Sequence, residues 1–291
     1  LVQTQNGTCN SSARQNMTAK LAITLRVILF SIICPLILIV AGPLGRLVPS
    51  SGGPLLIGIV ASLFTFALTL LFVRWEKIGL GDIGAGFSRR TAPRLLFGFA
   101  IGAAIVALQD IVIYSCGHVH WVIAVSPPSF RLLFLALAGY FVLALREELA
   151  FRGYSLRRME TAWGMWPALV VIGIFFTLEH AAGGWNWSRV LLGPPAGALL
   201  FGMAALATRG LAVPVGIHTG FNFLQWVMGQ KEVSGPFRLV VESGFAGQAD
   251  AIGYAAYLVG MILAASGFWF WFRRGSKCDD ARAAKLRSTA L

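Results

Sequence analysis

An all-α, polytopic membrane fold with about eight transmembrane helices is what the sequence predicts, and three observations predict it. Hydrophobic residues make up 57% of the 291-residue chain and charged residues only 12%, against about 45–50% and about 25% in soluble domains. The mean hydropathy is +0.73, so the apolar excess is too large for a buried core alone. Finally, the apolar residues fall into segments of the length needed to cross a bilayer, about 20 residues at 1.5 Å each.

Taken in order, the chain begins with a polar tail, residues 1–24, in which Met17 is a candidate start. The first apolar segment, 25–41, is flanked by Arg26 and Pro-Gly punctuation and has no A-x-A-like cleavage site. It reads as a span or signal anchor and not as a removed signal peptide. Further spans are expected at 54–73, 95–115, 130–150, 166–181, 190–208, 211–229 and 252–272. The segment 166–181 is short and runs into His180-Ala-Ala-Gly-Gly, so it is expected to stop inside the membrane. Residues 74–94 read as an interfacial element, and 151–165 as an amphipathic stretch with Arg157, Arg158 and Glu160 on its polar side. The transmembrane domain is thus 25–272, followed by a basic, solvated tail, 273–291.

The charges test this count. With eight spans and an inward N-terminus, 19 of the 24 basic residues face inward and five outward: Arg46, Arg131, Arg189, Lys231 and Arg238. Basic residues accumulate in cytoplasmic loops, so both termini are expected in the cytoplasm. The same partition explains the net charge of +12 without a nucleic-acid partner, and none is expected; the partner implied is membrane lipid. The four cysteines (Cys9, Cys34, Cys116, Cys278) have no paired spacing, which argues against a disulfide framework or a thiolate metal site.

Ionisable residues inside membrane segments cost about 2.5–3.5 kcal/mol on insertion scales, so they face a bundle interior or a cavity. Three clusters qualify, all within 130–229: Glu147, Glu148 and Arg152; His180; and His218 with Asn222. Glu148 and Arg152 are four apart and can pair along one helix face. Glu147 is rotated about 100° away, and a carboxylate left without a partner is suited to proton transfer. A snorkelling charge cluster that anchors the helix end would explain these residues equally well on their own. His180 alone is more simply a helix–helix hydrogen-bonding residue, and the His218/Asn222 spacing alone is a weak signal. Together the clusters are stronger. A carboxylate base, two imidazoles and an amide supply what amide hydrolysis needs: Glu147 to take a proton from water, His180 to hold that water, His218 and Asn222 to stabilise the oxyanion. The same four groups, Glu147, His180, His218 and Asn222, could instead ligate a divalent metal such as zinc.

Glu147-Glu148-Leu-Ala-Phe-Arg152, Phe176-Thr-Leu-Glu-His180 and His218-Thr-Gly-Phe-Asn222 match EExxxR, FxxxH and HxxxN motifs in order. In this they resemble the CPBP family of intramembrane proteases, which includes the type II CAAX prenyl endopeptidases and the Abi/bacteriocin-immunity proteins. The resemblance covers roughly residues 130–229 and implies an eight-helix intramembrane endopeptidase whose catalytic cavity opens to the cytoplasmic side. Carried over by motif, Glu147 activates water with His180 beside it. His218 and Asn222 complete the site, and Glu148 and Arg152 support it. The family is described both as metalloproteases and as glutamate-dependent, so the resemblance leaves a zinc cofactor or none. It implies a membrane-associated peptide or protein substrate, lipidated in the CAAX case or a leader peptide in a bacterial inner membrane. The competing reading is a non-catalytic immunity or scaffold protein of the same fold. Two local features stand apart from the motif: Arg146, which could form an extra salt bridge, and Glu179, expected to be peripheral. His118-Val-His120 is expected to be a solvated loop, and Asp110 has no partner identifiable from the sequence.

Overall fold

In a computed structural model the described residues are 4–48, 52–231 and 235–288, with side chains described between 16 and 275 of these. Cys9 and Cys278 lie outside the described side chains. Ten helices follow in chain order: α1 (Thr4–Ala41), α2 (Gly53–Trp75), α3 (Thr91–Cys116), α4 (Phe130–Glu148), α5 (Leu156–Trp163), α6 (Met165–Ala182), α7 (Trp187–Val190), α8 (Gly193–Thr208), α9 (Ala212–Val227) and α10 (Ala246–Ser288). A π-helical turn, Leu149–Ser155, joins α4 to α5. Both outer helices run past the expected boundaries at residues 24 and 272.

Every expected span is helical, and the protein is a multi-pass, all-α integral membrane protein. By length and composition, however, six helical segments can cross a membrane, not eight: Asn16–Leu47, Gly53–Trp75, Thr91–Cys116, Met165–Ala182, Trp187–Thr208 and Ala246–Gly275. The two that fall short are α4 and α9. Helix α4 has 19 residues and includes Arg131, Arg146, Glu147 and Glu148, while α9 has only 16 residues. These helices carry most of the candidate site, and it is that polar cargo and brevity that set them apart from the lipid-facing spans.

The centre of the bundle is α8, 61% buried over its span against 28–33% for the other five. Beside it, α9 packs on α3 through a reciprocal glycine seam. A Cβ on Gly98 or Gly102 would run into the carbonyls of Val213 and Ile217, and one on Gly216 or Gly220 into those of Leu95 and Phe99. Without a hydrophobic drive between helices in lipid, such small residues let backbones approach and gain van der Waals contact. His218 and Asn222 lie two positions after Gly216 and Gly220, about 200° around the helix. The seam that clamps α9 to α3 therefore turns these polar groups inward.

One small sheet departs from the all-α expectation. Strands β1 (Val119–Ile123) and β2 (Phe237–Val241) pair antiparallel, Trp121 opposite Leu239. The pair joins the α3–α4 and α9–α10 connections, so His118-Val-His120 is not a simple loop. His118 Nδ1 lies 3.2 Å from Glu242 Oε2 and its ring stacks on Phe245.

At the other end of the bundle, Glu76 is held by Arg26 at 3.4 Å, by Arg158, and by the Tyr154 hydroxyl, which donates at 2.6 Å. This ties α1, α2 and α5 together. Helix α5 buries Leu156, Met159 and Ala162, confirming its amphipathic character.

Enlarging the seam should be costly where enlarging an open glycine is not. Gly102→Leu or Gly216→Leu should destabilise by about 1–3 kcal/mol or more, read as a lower thermal midpoint by tryptophan fluorescence of the detergent-purified protein. Gly267→Leu, with nothing within 4 Å of its Cβ position, should leave the midpoint nearly unchanged.

Candidate functional site

Helix α4 delivers Arg146, Glu147 and Glu148 to the bundle interior, and the π-helical turn follows at once. The turn is braced by Ser155 Oγ, which donates to Ala150 O five residues back at 2.9 Å. All seven residues of the turn are buried, and the chain kinks at Gly153 (φ −75°, ψ −110°). Single π turns occur disproportionately at functional sites. Here the turn carries Arg152 inward, where its Nε lies 3.4 Å from Glu148 Oε2. Arg152 also sits over the Phe176 ring, 4.2 Å from its centroid. The pairing expected from the i,i+4 spacing is present.

Glu148 does more than neutralise Arg152. His218 Nδ1–H donates to Glu148 Oε1 at 2.8 Å, and the imidazole stacks on Phe201 with centroids 4.6 Å apart. A carboxylate on one ring nitrogen fixes both tautomer and ring orientation. The free nitrogen, Nε2, then points toward Glu147, 3.8 Å from its Oε2. That oxygen is buried and makes no hydrogen bond within the protein. A buried polar atom without a partner calls for an explanation, and polar atoms 3.8 Å apart can be bridged by a water.

His180 stands on α6 with its Nδ1–H donated to Phe176 O at 2.9 Å, which leaves its Nε2 free. Asn222 Oδ1 accepts from Lys231 Nζ at 2.9 Å. Burial lowers the Lys231 pKa to about 8, with the negative charge of Glu147 partly opposing the shift. Glu147, His180, His218, Asn222 and Lys231 all line one cavity of about 480 Å³. The four residues singled out from the sequence are thus brought to one place, with Glu148 and Arg152 directly behind them. Lys231 was missed: in the sequence it is one basic residue just past a span, and no motif marks it.

The neighbouring features resolve as follows. Arg146 is fully buried and pairs with Glu179, and it also donates to Cys34 O at 2.6 Å. Glu179 is therefore peripheral to the cavity but is the counter-ion of Arg146. Asp110 accepts a hydrogen bond from the Gln230 side chain, and Gln109 and Gln230 form part of the cavity wall.

The cavity's exposed rim is formed by Trp185, Arg189 and Asp250. This is the end at which α6 and α9 finish and α8 and α10 begin. The basic face, with Arg157, Arg209 and the end of the α10 span at Phe272, lies at the opposite end.

The residues present do not make a metal centre as arranged. Among the described residues no group of three or more His, Cys, Asp or Glu could hold a metal ion. Asn222 Oδ1 already faces an ammonium, whereas both histidines engage Nδ1 and keep Nε2 free, as a metal-ligating imidazole also does.

Residues 129–224 match the family model described as Type II CAAX prenyl endopeptidase Rce1-like. The matched stretch runs from the start of α4 into α9 and includes Glu147, Glu148, Arg152, His180, His218 and Asn222; Lys231 lies beyond it. It is the family group that the three motifs resemble. No curated protein matches the chain.

The Arg146–Glu179 pair should behave as a buried ion pair separate from the site. Arg146→Met should destabilise by about 3–5 kcal/mol by stranding a buried carboxylate. The double variant Arg146→Met/Glu179→Gln should recover much of that loss, measured as a double-mutant cycle of thermal or denaturant midpoints.

Proposed function

We propose that this protein is an intramembrane endopeptidase that hydrolyses a peptide bond of a membrane-associated substrate with water activated by Glu147. The observation that carries the reading is the unpartnered Glu147 Oε2 facing His218 Nε2 across 3.8 Å in a buried cavity. The family match over residues 129–224 supports it.

In this mechanism Glu147 accepts a proton from water, and the water oxygen adds to the scissile carbonyl carbon. His180, on the same cavity wall, helps hold that water. Negative charge develops on the carbonyl oxygen, where His218 Nε2–H and the Asn222 carboxamide donate to it. Glu148 stabilises the imidazolium form that carries a proton on Nε2, and Arg152 keeps Glu148 in place. Glu147 then gives its proton to the amide nitrogen, the C–N bond breaks, and the products are a carboxylic acid and an amine. Proton transfer by a positioned carboxylate contributes about 10²–10⁴-fold. No step needs a metal.

The cavity walls suit an apolar peptide. Ile113, Phe176, Phe201, Phe221, Tyr257 and Met261 line it beside the polar groups, a mixture typical of ligand sites. A prenylated peptide ending in a CaaX box is the first candidate substrate, and a leader peptide the second.

The test is turnover of an internally quenched, farnesylated CaaX peptide by the detergent-purified protein. Glu147→Gln and His218→Ala should each lower turnover by about 10³-fold, within the range expected for a general base, with no loss of thermal midpoint in Glu147→Gln. Intact turnover by Glu147→Gln would overturn the reading. Absence of cleavage by the unsubstituted protein, for this peptide and for leader peptides, would favour the non-catalytic scaffold. A chelator should leave turnover unchanged, and a loss restored by added zinc would overturn the metal-free route.

A further inference from the structure

The partly buried ammonium of Lys231 has no part in the three motifs and lies outside the matched family region, yet it reaches into the cavity beside them. Among the described residues its side-chain hydrogen bond is to Asn222 Oδ1, at 2.9 Å. An ammonium has three donors and no acceptor, whereas a carboxamide has a donor end and an acceptor end that are nearly equal in shape. Lys231 can therefore meet only the oxygen of Asn222, and the Nδ2–H donors must point away from it.

We propose that Lys231 is a positioning residue for the hydrolytic site, locking the Asn222 carboxamide with its N–H donors toward the scissile carbonyl. The inference rests on the endopeptidase reading above and adds a residue to it. Without Lys231 the amide is free to flip. The flipped form presents Oδ1 to the developing oxyanion, which exchanges a stabilising donor for a repulsive acceptor. Glu147, His180 and His218 do not substitute for Lys231, because none of them bonds to the Asn222 oxygen. Lys231 is partly buried and lines the cavity, which limits the access of solvent that could replace it.

The charge of Lys231 acts in the same direction. The carboxylate whose field it feels is that of Glu147, on the wall where water is activated. A desolvated cation near the Asn222 amide favours negative charge on the carbonyl oxygen more in the transition state than in the ground state. Such an interaction raises kcat and leaves KM alone.

The experiment uses the full-length protein in detergent and the internally quenched farnesylated CaaX peptide. Lys231→Met keeps the stem and removes the donors, Lys231→Arg keeps donors and charge, and each is also made in an Asn222→Ala background. Loss of one oxyanion donor costs about 10²–10³ in kcat. Lys231→Met should therefore lower kcat at least about tenfold with KM and thermal midpoint unchanged, since a flipped amide is a partial loss of that donor. Lys231→Arg should recover most of the activity, and Lys231→Met should have a much smaller effect once Asn222 is alanine, what remains being the direct effect of the charge. Three results would each overturn the inference while leaving the endopeptidase reading intact: unchanged kcat in Lys231→Met, a raised KM at unchanged kcat, or an effect that persists in full in the Asn222→Ala background. A raised KM would mark Lys231 as a binder of the substrate's own carboxylate. If the unsubstituted protein cleaves nothing, or Glu147→Gln cleaves as well as it does, the endopeptidase reading fails and this inference falls with it.

Discussion

Glu148 is the group on which the site's geometry depends. It is fully buried and faces two partners: Arg152 from the π-helical turn, which contacts both of its oxygens, and His218 from α9. Removing a carboxylate from water costs several kcal/mol, repaid only when opposite charge and hydrogen bonds surround it. Because those partners lie on separate elements, the charge is satisfied only when α4, the turn and α9 are all in register. One electrostatic requirement thereby orients the imidazole, aims its free nitrogen at Glu147, and keeps Arg152 from reaching Glu147 instead.

The backbone supplies the rest. The π turn shifts the chain after Glu148 so that Arg152 points inward while α5 leaves as an amphipathic helix. The glycine seam lets α9 lie close to α3, and about 200° around from it His218 and Asn222 face the cavity. Neither device is chemically reactive. Both are constraints on where reactive groups can be, and both work because bundle interiors in a membrane tolerate close backbone approach only at small residues.

Much of this was legible from the chain. Apolar run lengths located every helix that spans the bundle, since hydropathy and the 1.5 Å rise leave little freedom in a bilayer. Four polar residues on three elements were identified because charge in a membrane segment needs a reason. What escaped has physical causes. The π turn, Leu149–Ser155, replaces α-helical bonding by i→i+5 backbone bonding, which no periodicity marks. The β1–β2 pair joins segments over 100 residues apart, and the run HVHWVI reads as a loop until its partner is known. Arg146 and Glu179 look like independent charges until α4 and α6 are packed. Lys231 is the plainest case: an ordinary basic residue after a span becomes part of the site only because the chain turns back over Asn222. The metal question shows the limit in the other direction. Spacing allowed Glu147, His180, His218 and Asn222 to be a ligand set, and only the packed structure shows that Asn222 Oδ1 already faces Lys231.

The charges explain why this cluster can be retained at all. Arg146 is cancelled by Glu179 and Arg152 by Glu148, each within ion-pair contact. That leaves Glu147, a carboxylate with no cation bonded to it among the described residues, and across the cavity Lys231, an ammonium bonded among them to a neutral amide. The three carboxylates Glu147, Glu148 and Glu179 are matched in number by Arg146, Arg152 and Lys231, but the charges of Glu147 and Lys231 are held apart. Joined as a salt bridge they would be a stable and inert pair. Separated, each keeps an unspent electrostatic demand in a place of low dielectric, where such demands are strongest. Glu147 can meet its demand by taking a proton, and Lys231 can meet its own when negative charge appears at the Asn222 amide. Peptide hydrolysis does both in one step, so the separation that costs the resting protein stability is the separation that favours its transition state.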